Sequence, residues 1–469
     1  MGEFISRLNT LIWSAPALIL ILSVGICLSV RLRFAQLTLF PAALRRFMRQ
    51  FFRGRNDSGS QSSFRSLCTA LSATVGTGNL VGVAGAICLG GPGSVFWMWI
   101  CGILGMATKY TEALLAVRYR IKSEKGYCGG TMYMILQGLP GTFHFLAWLY
   151  ALFGMIASFG VGNAAQINAA ITGIRACCRT YGLELPPVAL LAITATVAFL
   201  VGVILFGGAG SVAAMAERLI PFAALGYILL CGGVLLVGWK RIPWAFSCIF
   251  RGAFSPGAVT GGAVGSTFLT LRIGCSRGVF TNEAGMGTAA IAHGEAAGVH
   301  PAEQGLMGII EVFLDTIVIC TLTALVILVS GVPVSYGTDQ GGLLTTAAFS
   351  RIYGSSAVLL LTAAMTLFAF ATILGWGLYG GRCAQFLFGP GAWQYFAALQ
   401  IPAVFAGAFL ETTILWQFSE AVNGLMAIPN LITLAVLAPE AVRLTKEYKN
   451  PVHGTGGGNY ADFHQCKPL

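Results

Sequence analysis

The chain has 469 residues, 56% hydrophobic and only 10% charged, with a mean hydropathy of +0.78; soluble domains carry roughly 25% charged residues, so a soluble globular protein is excluded and an integral membrane protein is implied. The formal net charge of +11 does not point to nucleic acid, because the basic residues gather beside apolar runs, where the positive-inside rule accounts for them. The thirteen cysteines lie mostly inside apolar runs with no C-x-x-C pair, which reads as small buried hydrophobes rather than metal or redox chemistry; Cys177-Cys178, in an expected loop, has no explanation in the sequence.

Apolar runs of the ~20 residues needed to cross a bilayer leave no room for a soluble domain. About eleven are expected, at roughly 11–30, 66–90, 94–118, 144–173, 187–206, 212–238, 262–292, 304–330, 352–386, 392–411 and 418–438. The first lacks a basic n-region and a small-residue cleavage site, and so reads as a retained span. From Arg31 to Arg65 the chain carries eight arginines against one acid, which holds that segment in the cytoplasm and the N-terminus outside. Alternate counting then puts Arg118, Arg120, Lys122 and Lys125 inside, with Arg443, Lys446 and Lys449. Lys240, Arg241 and Arg251 fall outside, a local exception, since charge near earlier spans usually dominates.

In chain order, the second run contains "TVGTGNLVGV", Thr74 to Val83. A dinucleotide fingerprint would need G-x-G-x-x-G with an acid ~20 residues on; the spacing here is G-x-G-x-x-x-G, and no Asp or Glu occurs between Asp57 and Glu112. A broken membrane helix is the better reading, with a G-x-x-x-G packing face at Gly78 and Gly82 as its structural rival; Asn79 beside them favours the break, because a polar amide at depth needs a partner. In "FGVGNAAQINAA", Asn163 and Gln166 stand one helical turn apart and offer hydrogen bonds to a small polar solute. The segment "RGVFTNEAGMGTAA" places Arg277, Asn282 and Glu283 at membrane depth, where ionisable groups are a functional hypothesis by default; an Arg277–Glu283 ion pair is the structural alternative. Glu311 and Asp315, again one turn apart, could hold a cation or neighbouring hydroxyls, or form a polar network within the bundle. Trp376, in "FATILGWGLYG", is placed against the substrate, with ordinary packing as the alternative.

Without the first span, ten remain, in two sets of five that each open with an interrupted helix. Paired glycine-interrupted segments mark the binding site of an inverted-repeat transporter, and five being odd, the halves must be oppositely oriented. The division is 1–65, N-terminal span and basic segment; 66–238 and 239–438, the two repeats; and 439–469, a cytoplasmic tail. Half-helix N-termini suit an anionic carboxylate and unwound carbonyls suit a small cation.

The lines "TVGTGNLVGVAGAICLGGPGSVFWMWICGILGMATKYTE" (Thr74 to Glu112), "RGVFTNEAGMGTAAIAH" (Arg277 to His293), "EVFLDTIVICTLTALVIL" (Glu311 to Leu328) and "NGLMAIPNLITL" (Asn423 to Leu434) resemble the alanine or glycine:cation symporter family of bacteria and archaea, over nearly the whole chain. The resemblance implies an all-α polytopic protein with the five-plus-five inverted-repeat fold of the leucine transporter after one extra span, in the cytoplasmic (inner) membrane of a prokaryote. It implies uptake of alanine or glycine driven by Na⁺, or by H⁺, by a monomer that meets lipid and no nucleic acid. By the same resemblance Thr77, Gly78 and Asn79 would meet the substrate carboxylate. Gln166, Phe280, Asn282, Met286 and Trp376 would wall the pocket, with Asn163 nearby. Oxygens near Ser72 and Val75, with the Thr372 hydroxyl, would hold Na⁺. Two departures, Thr131 where the family usually has proline and Glu420 where aspartate is common, are expected to lie away from the pocket.

A membrane-embedded hydrolase would need a nucleophile–base pair at depth, whereas all five histidines read as span ends or loops. A channel is excluded only by the resemblance. No G-x-x-x-x-G-K-[ST] loop is present, so direct ATP drive is not expected.

Overall fold

The computed structural model describes residues 16–53, 62–123, 126–338, 341–410 and 412–450, with backbone alone at 53 and 412–419; readings that fall on 11–15, 54–61 and 451–469 lie outside the described residues. In lipid every backbone polar group must be satisfied within the chain, so apolar runs become helices, and the described residues form a helical bundle with a small sheet that pairs Ile121–Ser123 antiparallel with Gly126–Cys128.

The elements are α1 (Pro16–Arg31), α2 (Phe40–Arg53), α3 (Ser63–Thr74), α4 (Gly78–Gly90, opening with a π turn), α5 (Ser94–Arg118), α6 (Thr131–Gly138), α7 (Phe145–Phe159) and α8 (Ala165–Thr180), the last two joined by the π turn Gly160–Ala164. After them come α9 (Pro187–Phe206), α10 (Ala209–Val237), α11 (Ile242–Phe254), α12 (Thr267–Asn282), α13 (Thr288–Gly294), α14 (Pro301–Val312), the π segment Phe313–Cys320, α15 (Thr321–Ser330), α16 (Gly341–Tyr353), α17 (Ser356–Phe388), α18 (Ala392–Gly407) and α19 (Thr412–Lys449). Terminators follow local chemistry. Ser62 caps α3 by accepting from the Arg65 N–H at 3.1 Å, Pro187 opens α9 at N1, and Gly389, at φ +88°, ends the 33-residue α17.

Among the described residues seven continuous helical stretches are long and apolar enough to span a membrane, and α3 with α4 makes an eighth, bent by 54° at its break. The other three expected runs are the shorter α1, the pair α12 and α13 interrupted at Glu283 to Gly287, and α18. Helices α2, α6, α11 and α16 were not foreseen, because each is shorter than a span. Cys177 and Cys178 lie within α8 rather than in a loop, and every described cysteine is free.

Candidate functional site

The two interruptions face each other. At the first, Val75 leaves α3 in an extended conformation (φ −76°, ψ 104°) and Asn79 folds back so that its Oδ1 accepts from the Gly76 N–H at 2.9 Å. The Asn79 amide nitrogen donates to Asp315 Oδ1 at 2.7 Å, and Thr316 Oγ1 donates to Asp315 Oδ2 at 2.9 Å. Asn79, expected at the substrate carboxylate, thus also braces the break through both ends of its amide. The packing alternative is not supported. A Cβ on Gly82 would meet nothing within 4 Å, and one on Gly78 would make only ordinary contacts with Thr281 and the Phe280 ring at 3.5 and 3.6 Å.

The second interruption is strained. Glu283 adopts φ +52° without being glycine, followed by Gly285 and Gly287 at +92° and +79°. Its backbone is fastened from outside: Glu112 Oε1, on α5, accepts from the N–H groups of Gly285 (2.9 Å) and Gly287 (3.3 Å) and from the Asn430 amide (2.7 Å). Asn430 also donates to the Gly285 carbonyl at 2.9 Å, and its Oδ1 accepts from Thr131 Oγ1 at 2.8 Å. Thr131 also approaches the Gly287 carbonyl at 3.5 Å. The Thr131 departure therefore bears on the second break, through Asn430 and Gly287, rather than on the expected pocket residues themselves. Asn282 is likewise engaged, accepting from the Ala284 N–H at 2.9 Å and donating to Thr316 Oγ1 at 3.3 Å.

Between the breaks, Thr77 Oγ1 donates to Gln166 Oε1 at 3.3 Å, and a Cβ on Gly76 would sit 3.0 Å from Thr372 Oγ1 and 3.8 Å from Gln166 Oε1. A Cβ on Gly375, one turn along α17 from Thr372, would lie 2.5 Å from Ser72 Oγ. Thr372 therefore packs against Gly76, and Ser72 against Gly375, so two of the expected cation-site hydroxyls flank the first break; both donate to carbonyls of their own helices, those of Thr69 and Phe368. Trp376 is 1% exposed, edge-on to Tyr379 at 5.7 Å; its indole nitrogen completes no hydrogen bond, with Glu283 as its polar neighbour. Any Cβ on Gly162 would overlap Trp376 Cβ, so the π turn seats the indole. Met286 is buried, and of the proposed pocket residues only Gly78 and Phe280 are half-buried.

Three expected pairings separate. Asn163 lies in the π turn and donates to the Gln400 carbonyl at 3.2 Å as well as to its side-chain oxygen, away from Gln166, because the wider turn rotates the two off a common face. Arg277 pairs with Glu420 at 3.6 Å, not with Glu283, so the alternative Arg277–Glu283 ion pair is not formed. Glu311 and Asp315 also diverge: Glu311 accepts from Lys109 Nζ at 2.7 Å and bonds His293 Nε2 at 3.0 Å. That chain continues from His293 Nδ1 to Gln304 at 2.7 Å and on to Ser63 at 2.5 Å. His293, in the last turn of α13 as expected of a span end, is fully buried. Lys109 and Glu112 were given no role in the sequence; the signal was ionisable residues within the apolar 25-residue α5.

Known proteins carry the same pattern. The model of the sodium:alanine symporter family matches residues 1–457. An uncharacterized transporter of Haemophilus influenzae is 41% identical over 95% of this chain and 96% of its own length. The sodium/alanine symporter AgcS of Methanococcus maripaludis is 37% identical over 95% and 97%, and the probable sodium/glutamine symporter GlnT of Bacillus subtilis 33% identical over 94% and 89%. Among solved structures, MhsT in complex with L-phenylalanine superposes with a TM-score of 0.55 at 13% identity, covering 84% of this chain and 99% of that one; at that identity the likeness shows the fold, the leucine-transporter-like arrangement expected above.

Proposed function

The chain belongs to the sodium:alanine symporter family and is a multi-pass secondary transporter rather than an enzyme, and from that premise we propose that it moves a small neutral amino acid, alanine or glycine, inward together with Na⁺. The carrying observation is the meeting of the two breaks, with Gly78 against Phe280 and Thr281, and Gly76 against Thr372 and Gln166. Residues 66–238 and 239–438 serve as the repeats, each contributing one break, and a single chain supplies the whole site.

The substrate carboxylate meets the backbone of Thr77 and Gly78 at the start of α4, where the positive end of the helix dipole favours an anion. Gln166, Phe280, Met286 and Trp376 limit the side chain. Ser72, Val75 and Thr372 take Na⁺. Asn79, Asn163 and Asn282 are positioning residues. Trp376 cannot retreat past Gly162, so overpacking by a larger substrate costs ~1–3 kcal/mol, roughly one to two decades of affinity.

Purified protein in liposomes, loaded with an inward Na⁺ gradient, a proton gradient or neither, tests the reading. Labelled alanine should accumulate with Na⁺ and be displaced by glycine and alanine but not by leucine. Accumulation that survives collapse of both gradients would end the symport reading; drive by protons alone would replace the ion; displacement by glutamine but not by glycine would move the substrate class.

A further inference from the structure

Helix α2 divides into three faces. Ala43 and Phe47 turn inward, and Arg46 pairs with Glu303 at the start of α14 at 3.1 Å. Leu44, Met48, Phe51 and Phe52, at i, i+4, i+7 and i+8, form an outward apolar stripe 38%, 41%, 43% and 73% exposed. Arg45 and Arg49 run beside that stripe, exposed. The same end of the molecule exposes Arg31 and Arg33, Lys446 and Lys449, with Lys449 Nζ donating to Thr38 Oγ1 at 3.3 Å. Among the described residues none of these six basic groups makes an ion pair, whereas the neighbouring acids Glu303, Glu440 and Glu447 are taken by Arg46, Arg118 and Arg443.

We propose that this strap binds the anionic lipid surface of the leaflet that the positive-inside rule assigns to the cytoplasm, and that its seating there sets the transport rate. An apolar stripe beside a basic one is the composition of a helix lying in the headgroup plane, and clusters of four to eight basic residues next to a span attract acidic lipid. The apolar helix α1 ends at Arg31 and the chain turns through Arg33 and Phe34, both at positive φ (53° and 54°), so α2 is held beside the end of that helix rather than free to meet a soluble partner. The link to transport is mechanical. Phe47 and Phe51 each lie 6.2 Å from Phe64 on α3, and Phe40 stacks edge-on to Phe313 at 4.9 Å, so the strap grips the half-helix that leads into the first break and the element that carries Asp315.

Full-length protein is purified from mixed lipid and the retained lipid identified by native mass spectrometry, a readout independent of what is transported. Initial uptake of labelled alanine is then compared in vesicles of phosphatidylcholine alone and with phosphatidylglycerol. Wild type should retain phosphatidylglycerol preferentially and transport severalfold faster in its presence. Arg45→Gln with Arg49→Gln should lower that preference roughly thirtyfold, given the attraction of each basic group to an acidic surface, and remove the lipid dependence of the rate. Equal retention of both lipids by wild type, or an unchanged preference in the variant, overturns the lipid site; a rate indifferent to lipid overturns the coupling. Should that variant fail to fold, Lys446→Gln with Lys449→Gln, across the same patch, is read in the same way.

Discussion

At the scale of single residues, the polar groups near the breaks are occupied by one another. Asn79 illustrates the consequence. If it were a substrate ligand only, Asn79→Ala would abolish transport and leave stability unchanged; because it bonds Gly76 and the buried Asp315 side chain, the substitution should also cost about 1–3 kcal/mol, the penalty of leaving buried partners unsatisfied, read as a lower melting temperature in detergent. Lys109 and Glu311 are 0% and 1% exposed. Breaking a buried pair on one side typically costs about 3–5 kcal/mol, whereas replacing both partners with apolar groups is often neutral. Lys109→Met alone should therefore destabilise strongly, and Lys109→Met with Glu311→Met should recover most of the loss. Additive losses in that double-mutant cycle would remove the pair as a coupled unit.

At the scale of elements, α5 acts as a rail that holds the second break in place through Glu112. Glu112→Ala should release Gly285 and Gly287, lowering uptake far more than Glu112→Gln, which keeps an acceptor oxygen there. Equal uptake by the two would mean that the acceptor is not what matters. The π turn before α8 is a second such device. Gly162→Ala should overpack by ~1–3 kcal/mol and reduce uptake, and Trp376→Leu should not rescue it, because the overlap is with Trp376 Cβ, which leucine retains. Much of this scale is legible in sequence: α5, α9 and α18 begin at the expected positions, and glycine runs mark both breaks, since apolar length and backbone freedom are local properties. What fastens the breaks is not legible. Glu112 meets Gly285 across 173 positions, and a π turn moves Asn163 off the face of Gln166 without altering the apolar pattern. Helix α2 escaped notice because its arginines read only as a topology signal.

At the scale of the whole molecule, the cation site proposed beside Gly76 and the substrate site proposed beside Gly78 share one unwound segment, so binding at either would order the same backbone. Positive coupling should follow, and by linkage it must be reciprocal. Calorimetry or a thermal-shift series should show Na⁺ tightening alanine binding by the same factor as alanine tightens Na⁺ binding. Alanine affinity indifferent to Na⁺ would separate the two sites. The Arg65–Glu217 pair, at 2.9 Å, ties the start of α3 to α10, and Arg118–Glu440 at 3.1 Å ties α5 to α19; both are partly exposed and individually weak, suited to being broken and remade during a cycle.

The left-handed Glu283 sets an evolutionary constraint on that cycle. Glycine would relieve a conformation that costs a non-glycine residue of order 1–3 kcal/mol, and would remove a carboxylate whose partner is the Thr288 hydroxyl at 2.8 Å. A library selected for heat resistance alone should therefore enrich Glu283→Gly, and one selected for growth on the transported amino acid should purge it, so that the same codon is pulled in opposite directions by folding and by work.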